Sequence, residues 1–266
     1  MPFPVTKRII YKKNPLVEVV CQFRFPPILS IDTEIPAKFQ DAIKKKYPLF
    51  KENAEILVRF PTIPNNIDSA LAEKLELSPT SINRKNYEFM SSDENWRINL
   101  TREFLALSTK SYHRWEEFKA QLETAFLPFL EIYSPVYFSR IGLRYKDIIN
   151  RSELNLVDTP WPELLQPFLL GIITDTVVGS KVINYTNVTE IQLSDDQSKV
   201  RISSSFVEEA QTKEKAFLID SDFFIEQKMP IEESLTKLDF FNQRGSRLIR
   251  WCITEKLHDA MEPEDL

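Results

Sequence analysis

Apolar and polar residues alternate along several stretches of this chain, and this period of two predicts β-strands. In the stretch 15–25, Cys21 lies on the more apolar face and Gln22 on the other, as in a half-buried strand. The same period predicts further strands at 87–92, 95–101, 103–109, 136–149, 180–194, 199–208 and 216–227. Brief polar connections within each group of three indicate antiparallel meanders.

A second pattern, with apolar residues three or four positions apart, predicts long helices at 35–47, 111–130 and 231–261. The last helix would extend about 46 Å at ~1.5 Å per residue. We expect Gly245 to mark a kink in it, because glycine weakens a helix interior. The pattern is weaker from 48 to 84, where we expect an edge strand at 54–60 and a short helix at 67–77.

The order of these elements predicts an α+β fold in which antiparallel meanders are backed by helices. Each half of the chain contains a meander followed by a helix, so we expect two closely packed subdomains, 1–155 and 156–266. The proline-rich, partly helical stretch 158–169 is the expected junction between them. The long C-terminal helix closes the second subdomain.

Composition is typical of a folded globular chain. Of 266 residues, 42% are hydrophobic and 27% are charged, and no apolar run reaches the ~20 residues of a membrane helix. The net charge of −5 argues against general nucleic-acid binding, which needs a positive surface. Cys21 and Cys252 lie far apart in apolar patterns, so we expect buried free thiols and a cytoplasmic location.

The residue counts make several chemistries improbable. The chain has four dispersed glycines, whereas phosphate-binding loops of the Walker and Rossmann types use clustered glycines. Two histidines and two distant cysteines do not suit a usual zinc site, and they leave few bases for a serine or cysteine triad. We therefore expect no cofactor and consider a non-enzymatic protein more plausible than an enzyme.

Two arginines on one face of the strand 136–149 form the first candidate site. Arg140 and Arg144 lie on either side of Gly142, and Arg24 lies on the less apolar face of the first strand. They could bind an anionic ligand, because guanidinium groups suit carboxylates and phosphates. They could instead form cross-strand ion pairs, for example with Glu18. We favour ion pairs, since charged faces are common on antiparallel sheets.

Asp220 and Asp222 form the second candidate site, because they share a strand face about 7 Å apart and could hold one Mg²⁺ ion. The sequence places no third carboxylate beside them. Cross-strand pairing with Lys199 and Arg201 on the preceding strand is the simpler interpretation.

His113 and Trp251 are two further candidate residues. His113 lies at the start of the helix 111–130, where we expect an exposed or capping side chain in preference to a general base. Trp251 lies in the second half of the C-terminal helix with Leu248 and Leu257. We expect this half to reach the first subdomain or a partner chain, and we favour one continuous intramolecular core.

The stretches "NPLVEVVCQFRFP", "STKSYHRWEEF" and "SRIGLRYKDII", with a distal "LIDSDFF", resemble a sporadically distributed prokaryotic family of about this length and of uncharacterised function. The resemblance spans almost the whole chain, and "RIGLRY" after "Y-x-x-W-x-x-F" is its most specific part. The chain has Lys146 and Asp147 where that family often has asparagine. The resemblance implies horizontal transfer, as in antiviral defence or toxin-associated loci, and it implies no catalytic residue.

These observations leave three functional hypotheses. The first is an accessory or immunity-like interaction protein that binds a protein partner or a second copy of itself, with Trp251 as a candidate contact. The second is a binder of a small anion or nucleotide through Arg24, Arg140 and Arg144. The third is a metal-dependent hydrolase or nuclease built on Asp220 and Asp222.

Overall fold

A nine-stranded antiparallel sheet is the centre of the computed structural model, which describes residues 3–59, 80–209 and 212–265. The strands are β1 (Ile9–Tyr11), β2 (Leu16–Arg24), β3 (Leu49–Arg59), β4 (Thr80–Met90), β5 (Trp96–Leu100), β6 (Phe104–Thr109), β7 (Arg140–Ile149), β8 (Thr186–Gln192), β9 (Lys199–Glu208), β10 (Lys215–Ile225) and β11 (Pro263–Asp265). Their order in the large sheet is β3-β4-β5-β6-β2-β7-β10-β9-β8, and β1 pairs with β11. The predicted α+β class with antiparallel meanders is confirmed.

Helices cover one face of this sheet. They are α1 (Ser30–Thr33), α2 (Ala37–Ile43), α3 (Trp115–Tyr133), α4 (Pro167–Leu170), α5 (Ser234–Cys252) and α6 (Glu255–Ala260). Aromatic rings join the two layers: Phe23 of β2 lies 4.7 Å from Phe126 of α3, between ring centroids. Phe223 of β10 lies 6.4 Å from Phe241 of α5 in the same way. The helices predicted at 35–47 and 111–130 are confirmed with shifted ends.

Both predicted subdomains supply strands to the one large sheet. β7 of the segment 1–155 pairs with β10 of the segment 156–266, and β7 also pairs with β2. The junction 158–169 contains a 3₁₀ turn at Trp161–Glu163 and the start of α4, so it is partly helical as expected. The division at residue 155 itself stays a prediction.

The long C-terminal helix is confirmed, but it ends at Cys252 instead of continuing to residue 261. Ile253 is extended and forms an antiparallel bridge with Leu165. Thr254 then begins α6, because its Oγ1 accepts a hydrogen bond from the backbone N–H of Leu257. The spacing of apolar residues does not show this bridge or this cap, so it overestimates the length of the helix.

Gly245 lies inside α5 and permits a close approach to the sheet. A Cβ atom at this position would lie 2.7 Å from Cε2 of Tyr145 on β7, closer than real Cβ contacts. Glycine therefore lets α5 pack directly on the Tyr145 ring, and the helix continues past it to Cys252. Contact with the sheet explains this glycine better than the kink expected from the sequence.

The edge strand expected at 54–60 is confirmed as the longer β3, at one end of the large sheet. The helix expected at 67–77 lies outside the described residues. Cys21 and Cys252 are both buried and free. Within the described ranges, no helix is both long enough and apolar enough to cross a membrane.

Candidate functional site

The face of the sheet opposite α3 and α5 contains the arginines and aspartates that the sequence indicated. We call it the charged face and define it by the side chains of Glu18, Arg24, Arg140, Arg144, Lys146, Arg201, Asp220 and Asp222. Strands β2, β7, β10 and β9 are consecutive neighbours, and their registers bring these alternate residues together. The two sites considered separately in the sequence are therefore one surface.

The Arg140 side chain lies flat across Gly142. A Cβ atom on Gly142 would come within 2.4 Å of Nη1 of Arg140, so only glycine leaves room for the guanidinium group there. Arg140 donates to Asp222 at 2.8 Å and lies 4.9 Å from the centroid of the Phe224 ring. The glycine between the two arginines thus makes space for an ion pair that also stacks on an aromatic ring.

Cross-strand ion pairing is confirmed, with different partners from those expected. Arg144 donates to Asp220 through Nε at 2.6 Å and through Nη2. This pair raises the pKa of Arg144 further above its usual value. Glu18, which we expected to meet an arginine, accepts from Lys146. The register irregularity between Leu16 and Glu18 places Glu18 opposite Lys146, which explains the exchange.

The pairing expected for Asp220 and Asp222 is wrong in its partners. Lys199 and Arg201 instead contact Glu190 at 2.9 and 3.0 Å, because β8 places Glu190 directly opposite Arg201. The two aspartates face the arginines of β7 on their other side, as described above.

This arrangement bears on both ligand hypotheses for the charged face. A cavity of about 380 Å³ borders Arg24, Arg140 and Arg144, and Arg24 also donates to Gln22 at 3.2 Å. An anion entering it would compete with the aspartates, and a metal ion on the aspartates would compete with the arginines. An anion on Arg140 and Arg144, or a metal ion on the aspartates, therefore requires the loss of ion pairs that the fold already contains, whereas Arg24 contacts the neutral Gln22. Both hypotheses stay predictions.

Trp251 contacts residues of its own chain. Its ring stacks on Phe168 at 3.8 Å and lies 5.3 Å from Phe3, between ring centroids. Leu248 and Leu257 are buried in the same core. The second half of the C-terminal segment therefore reaches the N-terminal part of the chain, as expected, and a role for Trp251 toward a partner stays a prediction.

The other large cavity lies on the helix-covered side of the sheet and has a volume of about 540 Å³. It is bounded by β1 and the segment after it, by the start of α3, by β7 and by α5. His113 is exposed, as expected, and lies at its margin just before α3 begins. Apolar and aromatic groups supply much of the wall, including Leu16, Tyr112 and Ile249.

A buried carboxyl group, that of Asp147, lines this cavity. The residue is 6% exposed and follows Tyr145 on the face of β7 that meets the helices. No group among the described residues donates a hydrogen bond to its carboxylate. Burial, reinforced by the negative charge of Asp220 on β10, raises the pKa of Asp147 to about 7. At neutral pH this carboxyl group is therefore poised between its two protonation states.

Two phenols and one amide lie beside Asp147. The hydroxyl of Tyr145 donates to Oδ1 of Asn242 on α5 at 3.0 Å, and that of Tyr112 donates to the same atom at 3.5 Å. Burial is the main cause that raises the pKa of both phenols, so they remain protonated donors at neutral pH. The two phenols also hydrogen-bond each other, so their hydroxyls contact Asn242 and one another and not Asp147.

Most other charged side chains around the cavity have partners of opposite charge. Ion pairs join Lys7 with Asp265, Arg8 with Glu116, Arg114 with Glu117, Lys119 with Asp239, and Arg250 with Glu255. The pair of Arg8 and Glu116 is bidentate, at 2.7 and 2.8 Å. The basic side chains named here thus already form ion pairs, and none of these pairs involves Asp147.

Three possible metal ligands, Glu255, His258 and Asp259, also come together on α6. Two of them already have contacts within the chain: Glu255 accepts from Arg250, and Nδ1 of His258 lies 2.8 Å from the hydroxyl of Tyr11. The cluster is largely exposed, so the arrangement is that of a solvated helix end.

The sequence contained a signal for the cavity that the two-site interpretation missed. Asp147 shares a strand face with Ile141, Leu143, Tyr145 and Ile149, which are all buried. A carboxylate that interrupts an apolar strand face is more informative than charges on a polar face, because burial without a partner is costly.

Comparisons of this chain with models of known protein families and with curated protein sequences find no match. The geometry and the chemistry of the two surfaces therefore carry the functional interpretation.

Proposed function

We propose that this chain is a non-enzymatic binding protein that holds a small organic molecule in the cavity beside Asp147. One observation carries the proposal: a carboxyl group that is 6% exposed lines a cavity and receives no hydrogen bond from the described residues. Burying such a group without a partner costs free energy, and a carboxyl group in a cleft whose pKa burial shifts strongly is a candidate for a functional site.

The size and composition of the cavity support a small ligand. Its volume of about 540 Å³ lies within the range of roughly 300–1,000 Å³ that is usual for small-molecule sites. Apolar and aromatic walls combined with a few convergent polar groups are also typical of such sites. Here the polar groups include Asp147, Ser221 and Asn242.

The same surroundings favour binding over catalysis. The thiol of Cys252 is the nearest strong nucleophile by type, but it is fully buried and burial raises its pKa, so it stays protonated. His258 contacts Tyr11 and is not placed beside a nucleophile. A carboxyl group with a pKa near neutrality can transfer protons, but within the described ranges no nucleophile is hydrogen-bonded to Asp147 in the way that nucleophilic catalysis requires.

This proposal agrees with the expectation of a non-enzymatic protein and moves the candidate site from the charged face to the helix-covered side. A protein partner, and an accessory role in a mobile defence or toxin-associated locus, stay predictions. They are compatible with a bound small molecule, because a ligand that binds the folded state also stabilises it and can favour a complex.

A fragment screen with a blocked cavity tests the proposal. Compounds that bind only the folded chain should raise its melting temperature, by an amount that grows with concentration above their Kd. Ser246 lines the cavity from the exposed side of α5, so Ser246→Trp should fill part of it, and Ser246→Ala is the matched control. We expect fragments that stabilise the wild type and Ser246→Ala but not Ser246→Trp.

If a fragment stabilises Ser246→Trp and Ser246→Ala equally, it binds outside this cavity, and that result would count against the proposal. A screen of several chemical classes without any stabilising fragment would also contradict it. Native mass spectrometry of the purified protein gives an independent measurement, because a retained ligand adds a discrete mass that Ser246→Trp should abolish.

A further inference from the structure

We infer that the ligand presents a positively charged nitrogen group, such as an ammonium, amidinium or guanidinium, to the carboxylate of Asp147. This inference rests on the proposed function and names the chemical class of the ligand. Buried carboxylates in proteins are normally paired with cations or supplied with several hydrogen bonds. In this cavity the described residues supply neither, so a ligand is the remaining source of a partner.

Two hydroxyl groups that interact electrostatically with Asp147 are directed to other partners. The hydroxyl of Tyr145 donates to Asn242, and the hydroxyl of Tyr11 lies 2.8 Å from Nδ1 of His258. A carboxylate offers about four acceptor positions on its two oxygens. An amidinium or guanidinium fork can occupy two of them at once, and an ammonium group supplies three donors on one atom.

The electrostatic surroundings also favour a cation. The titratable groups that interact with Asp147 are Tyr11 on β1, Tyr145 on β7, Asp220 on β10 and Cys252 on α5, and Arg247 and Arg250 of α5 line the same cavity. Asp220 is the charged neighbour that acts on Asp147, and its effect is repulsive toward a second negative charge. Arg250 contacts Glu255, so its charge is already balanced. Asp220 is itself paired with Arg144 on the charged face, so the carboxylate of Asp147 is the group in this cavity that would attract a positive charge.

The walls are compatible with the same ligand class. Tyr11, Tyr112, Tyr145 and Trp115 line the cavity, and aromatic faces stabilise cations that lie against them. An anionic ligand would find Arg8 and Arg250 engaged by carboxylates and would meet Asp147 at the floor. A neutral ligand that accepts a hydrogen bond is the other possibility, because protonated Asp147 could donate to it.

Proton linkage separates a cationic ligand from a neutral one. Burial raises the pKa of Asp147 to about 7, so at pH 6 most of the free protein carries the neutral acid. A cation binds the ionised form, and its apparent affinity scales with the fraction of that form. That fraction rises about tenfold from pH 6 to pH 8 for a group with a pKa near 7. A neutral ligand that accepts a hydrogen bond needs the protonated form of Asp147, so its affinity should fall from pH 6 to pH 8.

The experiment compares matched cationic and neutral probes. Benzamidine and 2-phenylethylamine are the cations, and benzamide and 2-phenylethanol are their neutral counterparts. Titration calorimetry of the full chain at pH 6 and pH 8, in two buffers of different ionisation enthalpy, gives both the affinity and the protons released. We expect at least one cation to bind about tenfold more tightly at pH 8 and to release close to one proton at pH 6.

Asp147→Asn removes the charge with little change of shape, and we expect it to weaken the cations by at least about tenfold while leaving the neutral probes nearly unchanged. The pH dependence of the wild type keeps the inference testable if this variant folds poorly. Cation affinity that is flat with pH, or equal in Asp147→Asn, would overturn the inference. So would binding by the neutral probes alone, although the proposed function would then stand, provided that Ser246→Trp abolishes that binding. If no probe of either class binds in a way that Ser246→Trp blocks, the inference and the proposed function fail together.

Discussion

The charged face and the cavity lie on opposite sides of the same strands, and they provide opposite environments for acidic side chains. On the charged face, Asp220 and Asp222 each accept hydrogen bonds from an arginine of β7. One residue after Lys146, the chain turns Asp147 to the other side, where it is buried without a donor among the described residues. The surface with more charge is therefore the one on which most charges are already balanced, Arg24 beside Gln22 being the exception among the residues that define it.

The difference shows that a buried charge without a partner indicates a ligand site better than a high density of charged side chains does. An arginine partner lowers the pKa of a carboxyl group, as Arg8 does for Glu116, to about 2. Burial without such a partner raises the pKa of Asp147 to about 7. A ligand adds most where the fold has left a group unsatisfied, because it then competes with no internal contact.

We expect the removal of a carboxylate charge to have opposite effects on the stability of the fold on the two sides. The largest effect is expected for Asp147→Asn. Because the folded chain holds a proton on Asp147 up to pH ~7 and the unfolded chain loses it near pH ~4, the stability supported by the neutral acid is lost as pH rises through this window. We expect the variant to be more stable than the wild type by on the order of 3 kcal/mol at pH 8 and by less than about 1 kcal/mol at pH 4.

Urea denaturation of both proteins from pH 4 to pH 8 measures this difference. Asp158→Asn is the matched control, since it makes the same chemical change at an exposed position. A stabilisation that does not grow with pH would show that Asp147 has an ordinary environment in the folded chain, and the contrast between the two sides would be lost.

The second effect is smaller and has the opposite sign. Asp222→Asn leaves the guanidinium of Arg140 without its carboxylate, and the side chains of this pair are 14% and 24% exposed. Because the arginine is mostly buried, we expect a destabilisation of about 1–2 kcal/mol. Denaturation at one pH suffices, again with Asp158→Asn as the control. A neutral or stabilising result would mean that the charged face also contains strained charge, and it would restore Arg140 as a candidate ligand contact.

The fold was largely predictable because its strands and its long helices follow regular periods. The alternation in β2 and in β7 gave the correct faces, and the cross-strand ion pairs followed from placing Arg140 and Arg144 on a polar face. Their partners were not predictable, since β10 lies next to β7 through a contact between residues far apart in the chain. Sequence spacing alone does not specify strand order.

The cavity was less predictable than the fold. It requires α5 to sit beside β7, which depends on Gly245 against Tyr145, and it requires β1 to cross in front of them. These are contacts between distant segments. The one local signal, the carboxylate of Asp147 on an apolar strand face, was present in the sequence but was outweighed by the conspicuous arginines and by the aspartates of β10.

The smallest expected effect concerns Gly142 and tests why the charged face has its geometry. Gly142→Ala would place a methyl group within 2.4 Å of Nη1 of Arg140, so the guanidinium must move away from Asp222 and Phe224. The end of an arginine side chain moves easily, and alanine also restricts the unfolded chain, which offsets part of the loss. We expect a net change within about 1 kcal/mol, with destabilisation of about 0.5 kcal/mol as the central value.

A change this small is decided by a double-mutant cycle and not by a single measurement. If Gly142 serves the pair of Arg140 and Asp222, the loss caused by Gly142→Ala should vanish, or become a slight gain, once Asp222→Asn has already removed the acceptor. Equal effects of Gly142→Ala in the two backgrounds would show that the glycine is required by the strand itself. The coupling energy thus reports whether the charged face is built around internal pairing, which is the property that distinguishes it from the cavity behind it.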